Sequence, residues 1–178
     1  MNPRIKLLIV IFGLSITAYG QKYKSFESKV RFFSEATLEN IAADNKDGSS
    51  VFDEESKQIV FSIPITSFEF KKSLMQEHFN ENYMESEKYP KAIFKGEVIN
   101  YEEGKATQKV TAKGDITIHG ITRAINVDGE MEYKDGKLYL KSVFPVRLED
   151  YKVKIPQVLW QNIAEEVEVT INFIYKPI

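Results

Sequence analysis

The chain contains no cysteine and only two histidines among 178 residues. Without cysteine there is no disulfide framework, so the core alone must hold the fold. Two histidines and no thiolate leave too few good ligands for an ordinary zinc site. A basic excess is also missing: 24 Lys and Arg stand against 26 Asp and Glu, interspersed, for a net charge of -2. That balance excludes the basic stripe through which nucleic acid is bound. The apolar run at 7–18 is short of the roughly 20 residues a membrane helix needs. No set of nucleophile, base and orienting group is legible, so no catalysis is expected.

What is present begins at the N-terminus. Arg4 and Lys6 make a basic start, 7–18 is apolar, and Ala18-Tyr19-Gly20 ends the run with small residues. Residues 1–20 therefore read as a secretory signal peptide, with cleavage expected near Gly20-Gln21. An uncut N-terminal anchor is the alternative. Residues 21–178 have the length of one domain, periplasmic or secreted, large enough to bury its own core.

Past the signal, apolar and polar residues alternate almost throughout, the period of a strand with one buried and one wet face. Ile59, Phe61, Ile63 and Ile65 share a face. Val110, Ala112, Gly114, Ile116 and Ile118 share another, opposite Thr111, Lys113, Asp115 and Thr117. The pattern recurs in Ile121, Ile125, Val127 and Met131, and in Val167, Val169, Ile171 and Phe173. Strands are predicted at 23–33, 40–52, 58–67, 90–101, 105–118, 121–133, 137–148 and 163–175. Asp135-Gly136 is a strong hairpin signal. Pro64 and Pro145 predict bulges or an imperfect seam. Antiparallel strands with one apolar face bury it and lose their edges by closing into a barrel. The predicted fold class is all-β with one short helix: an eight-stranded antiparallel up-and-down barrel. Its other face is rich in Lys, Glu, Asp and Asn, as a soluble barrel needs and a membrane barrel does not.

The helix is "SLMQEHFNENYM", with Leu74, Met75, His78, Phe79 and Tyr83 at helical spacing. Ser73 and Gln76 have the spacing of a capping box. Up-and-down order alternates the connections between the two barrel ends. One end thus collects 34–39, the helix, the His119-Gly120 corner and 149–162; the other receives short polar turns. The helix is expected to cover the mouth with Leu74, Met75 and Phe79.

The candidate ligand-binding interior draws on every part of this pattern. The first strand offers Phe26, Val30 and Phe32, and the third and fourth offer Phe61, Ile63 and Phe94. The His-Gly hairpin supplies Ala112, Ile116, Ile118, Ile125 and Val127. The last two strands supply Phe144, Val169 and Ile171. Two readings of the space they enclose stand together. In one, small residues (Ala92, Gly96, Ala112, Gly114) leave a cavity of ~300–1,000 Å³ for an apolar guest. In the other, Phe26, Phe61, Phe94, Phe144 and Phe173 fill it.

Four stretches then carry a resemblance. "GDITIHGIT", 114–122, resembles the "GDLTIHGVT" signature of the YceI-like lipid- or polyisoprenoid-binding proteins. "EKYPKAIFKG", 87–96, resembles that family's "YPtitFks" start, "SKVRF", 28–32, its "HSsVgF", and "RLEDY", 147–151, its "nRkDFG". Two departures stand out: Glu27 replaces the opening histidine of the first-strand motif, and Tyr151-Lys152 replaces a Phe-Gly pair. The resemblance implies a lipocalin-like barrel, a bound isoprenoid-type lipid and no other cofactor, and a periplasmic or secreted location.

The polar candidates for the ligand's far end are His119, Arg147, Asp150 and Tyr151. His119 is either a contact or a corner imidazole hydrogen-bonded to backbone beside a tightly turned Gly120. Arg147 is expected to pair with Asp150, or to meet a phosphate. Tyr151, Lys152, Lys154 and Trp160 make an aromatic and basic loop suited to an amphipathic ligand or a transient membrane-surface contact. The functional expectation is an exported carrier or sequestering protein for an apolar chain-like lipid, without metal, nucleic acid or catalysis, and compatible with a homodimer. The alternatives are an enzyme using His119 on a lipophilic substrate, and a packed structural or stress protein of the envelope.

Overall fold

The computed structural model describes residues 20–35, 40–154 and 164–178. Alternation becomes strand nearly wherever the sequence shows it. The strands are β1 (Lys22–Ser34), β2 (Ile41–Asn45), β3 (Ser49–Asp53), β4 (Gln58–Pro64), a two-residue β5 (Glu69–Phe70), β6 (Lys91–Ile99), β7 (Thr107–Ile118), β8 (Ile121–Lys134), β9 (Lys137–Arg147) and β10 (Glu166–Pro177). All pairings are antiparallel, and β10 returns to pair with β1. The result is a closed barrel of eight strand positions, its first and last strands joined by the β10–β1 pairing.

The second predicted strand is split. β1 pairs with β3 at its N-terminal end and with β2 at its C-terminal end, so the two short segments share one barrel position. Asn45 causes the break. Its buried side chain donates to Pro64 O (2.7 Å) and accepts from Asp47 N (2.8 Å), taking local backbone bonds in place of ladder bonds.

The two prolines behave differently. Pro64 ends β4 without a bulge. Pro145 sits in unbroken register opposite Glu168 of β10. On its other side the β8–β9 ladder runs only from Gly129 and Ser142 to the turn. Pro145 therefore lies where no N–H is needed, in an imperfect seam. The register shift that does occur lies in β1 between Ser25 and Glu27.

The helix is also modified. α1 (Ser73–His78) gives way to a wider turn of π-helix, Phe79–Tyr83. The predicted capping box does not form. Lys72 is the N-cap and makes no side-chain cap bond, while Gln76 Oε1 accepts from Phe70 N (3.2 Å). Gln76 thereby ties the helix to β5, which itself pairs with β2.

The two barrel ends differ as chain order requires. At the turn end, Asp135 and Gly136 take positive φ (52° and 71°), a two-residue hairpin. At the lid end stand α1, the His119 corner and a turn of 3-10 helix, Leu148–Tyr151.

Candidate functional site

The barrel encloses a cavity of about 560 Å³. Of the seventeen candidate interior and lid residues, all but Phe26 and Leu74 line it. The alternation explains this agreement. Every second residue of a strand points inward, and the hydrophobic set can face only one way.

Phe26 follows the β1 register shift. The extra residue turns it outward, where Lys176 and Lys137 lie 4.0 and 5.2 Å from its ring centre. Leu74 is on the outer side of α1 and 59% exposed, because a six-residue helix presents one side to the cavity, and Met75 with Phe79 occupies it. Gly96 and Gly114 line no cavity either. They face each other across β6 and β7, and a Cβ on either would come within 2.2–2.4 Å of the partner strand's backbone. They permit close strand approach, and the free space comes from Ala92 and Ala112.

The wall is hydrocarbon. Its hydroxyls at Ser34 and Ser142 are already bonded: Ser34 Oγ accepts from Ala164 N (2.9 Å), and Ser142 Oγ donates to Asp128 O (2.6 Å). At the mouth Phe32 lies 5.4–5.6 Å, ring to ring, from Phe68, Phe70 and Phe79. These four rings join β1, β5, the π-helical turn after α1 and the segment between β4 and β5. His78 and Tyr83 line the same region. Burial raises the Tyr83 phenol above its ordinary value.

Further lining residues follow the same alternation: Ile59 and Val110 belong to faces drawn from the sequence, and Val98 and Leu140 extend the pattern on β6 and β9. Phe68 and Phe70 had no such signal, since they lie between β4 and α1, where the two-residue β5 is too short to show a period.

The four polar candidates do not line the cavity. His119 takes φ +49° in the corner, with Nδ1 3.0 Å from Tyr151 O and Nε2 3.1 Å from Glu85 Oε2. Tyr89 meets its ring edge-on at 4.7 Å, and a Cβ at Gly120 (φ +73°) would sit 2.4 Å from that tyrosine. His119 thus clasps the β7–β8 corner, the 3-10 turn and the segment after α1. Glu85 carried no sequence signal as its partner.

Arg147 pairs with Glu149 (3.3 Å) rather than Asp150, and both side chains are exposed. Asp150 instead offers its backbone carbonyl to Arg123 Nε (3.2 Å). The 3-10 turn explains the exchange, because it carries the Asp150 backbone toward β8. Tyr151 is buried, and burial first, with Asp150 second, raises its phenol. Lys152 ends the turn at φ +55°. Trp160 and residues 1–19 lie outside the described residues.

The site is therefore an apolar cavity inside a β-barrel, with a short helix at its mouth, the arrangement of a binding protein for oily molecules. The chain belongs to the YceI-like domain family, which matches residues 22–175. No curated protein matches it. Among solved structures it is similar to BcnA of Burkholderia cenocepacia (18% identity, TM-score 0.71, 83% of this chain and 95% of that one). It is also similar to a polyisoprenoid binding domain from Saccharophagus degradans implicated in plant cell wall breakdown (14%, 0.75, 88% and 98%). The Campylobacter jejuni YceI protein matches at 22% identity and TM-score 0.62, over 81% of this chain and 88% of that one.

Proposed function

We propose that the protein binds and carries, or sequesters, one apolar chain-like lipid of isoprenoid or related type, without catalysis. The observation that carries this reading is the 560 Å³ cavity with its hydrocarbon wall. It has the size of a small-molecule site, and a packed structural interior would lack it. The Saccharophagus domain, described as polyisoprenoid binding, supports the isoprenoid class. Against an enzyme built on His119 stands its position: both ring nitrogens are engaged, and the residue lies off the cavity.

Export through the signal at 1–20 to a periplasmic or secreted location completes the proposal, and such a carrier would collect its ligand at a membrane surface. Exposed Leu74, near Lys71 and Lys72 on the lid, supports that transient contact. A homodimer is compatible with it. Native purification, organic extraction and mass spectrometry test the binding. A stoichiometric lipid is expected; repeated clean extracts, with no uptake of added prenols, would overturn it.

A further inference from the structure

Among the described residues the barrel carries two spaces, the large cavity and a smaller pocket that opens to solvent past the exposed Glu103, Lys105 and Tyr133. Below the large cavity, at the turn end, lies a second pocket of about 210 Å³, bordered by Tyr23, Glu54, Tyr101, Gln108, Met131 and Leu138 among others. Inward-facing neighbours two residues apart fall on opposite sides of one level. On β7, Val110 borders the large cavity and Gln108 the small one. On β8 the split is Gly129 against Met131, and on β9 Leu140 against Leu138.

A septum lies between the chambers. Phe52, Phe173 and Tyr175 are at most 1% exposed and border neither space. Phe52 contacts Tyr23 and Tyr101 of the lower wall, and Phe173 contacts Phe61 of the upper wall. Met131, 1% exposed, borders the lower space and is paired with Gln108 of the same space and with Leu140 of the upper one, so it stands at the boundary.

The chambers differ in chemistry. The lower one holds Glu54, whose carboxylate accepts from the Tyr101 hydroxyl, and Gln108, bonded to the backbone of Glu102. A hydrocarbon tail entering it would strip water from the exposed Glu103 and Lys105 on its rim and return no hydrogen bond.

We propose that this septum is a chain-length stop and that Met131 is the specificity-determining residue that sets its depth. The inference rests on the binding function proposed above. At roughly 27 Å³ per methylene, close to organic packing density, the upper cavity holds about 20 carbons. Additional carbons gain nothing, because they stay outside the mouth.

The test is a series of straight-chain 1-alkanols of 12 to 26 carbons, each displacing a fluorescent apolar probe. For the native protein, affinity should rise about fourfold per carbon and then level off near 20. Met131→Ala frees about 75 Å³ and should move the break two to three carbons longer. Val110→Phe, which builds into open cavity, should move it about two carbons shorter. Affinity that still climbs at 26 carbons, or one break shared by all folded variants, would overturn the stop. If Met131→Ala does not fold, Val110→Phe decides. Failure of every alkanol to bind would overturn the binding function itself, and the stop with it.

Discussion

Ala112→Trp should separate ligand binding from folding. Ala112 faces inward on β7, paired with Val98 and Val127, and remains only half-buried because the cavity reaches it. Indole there grows into free space. It adds about 140 Å³, a quarter of the cavity, and displaces about five methylenes of guest at organic packing density. At ~0.8 kcal/mol per buried methylene, the loss is about 4 kcal/mol, or close to a thousandfold in affinity. Folding stability should change by less than about 1.5 kcal/mol, because the ring fills a void and evicts no side chain. Probe displacement reads the first quantity and urea unfolding the second. A folded variant that binds apolar probes as tightly as the native protein would refute the placement of the ligand.

Three further outcomes are expected. Lys152→Gly should stabilise the fold by about 0.5–1 kcal/mol, since a left-handed conformation strains lysine and not glycine; a melting temperature raised by a few degrees checks it. His119→Ala should cost about 1–3 kcal/mol of stability through the lost clasp, yet leave probe affinity within about threefold; lost binding in a folded variant would make His119 a ligand contact. Alkali should unfold the protein through its buried phenols. Burial, then Glu54, pushes Tyr23 up to about 12, and burial also raises Tyr101 and Tyr175. A raised folded value means a proton held more tightly in the folded state. That stability is complete below the ordinary tyrosine value near 10 and is lost as pH climbs through 12. Urea midpoints measured from pH 8 to 12 should stay level and then fall; a fall complete by pH 9 would contradict the assignment.

The interior was legible residue by residue because a strand has a period of two and each strand here has one apolar face. Val30, Phe61, Ile116 and Val169 had to point to the same side, and only the inside could accept them. Legibility failed where something other than period governs direction. At Phe26 a single register shift reverses the side chain. At Leu74 the short helix leaves one residue of an apolar pair outside. Asn45 reads as strand but spends its side chain on two backbone groups, and the strand breaks there.

Sequence alone determined the strands, their antiparallel order, the division into an elaborate and a plain end, and the apolar character of what lies between. Those follow from local periodicity and chain connectivity. Only the tertiary structure decided whether the centre is hollow. Cavity or plug depends on which rings meet across the barrel, and residues far apart in the chain settle it. Phe52, Phe173 and Tyr175 close one level, while Ala92 and Ala112 leave the level above it open. The role of His119 was decided in the same way, since Glu85 and the Tyr151 carbonyl reach it only after the chain has closed on itself.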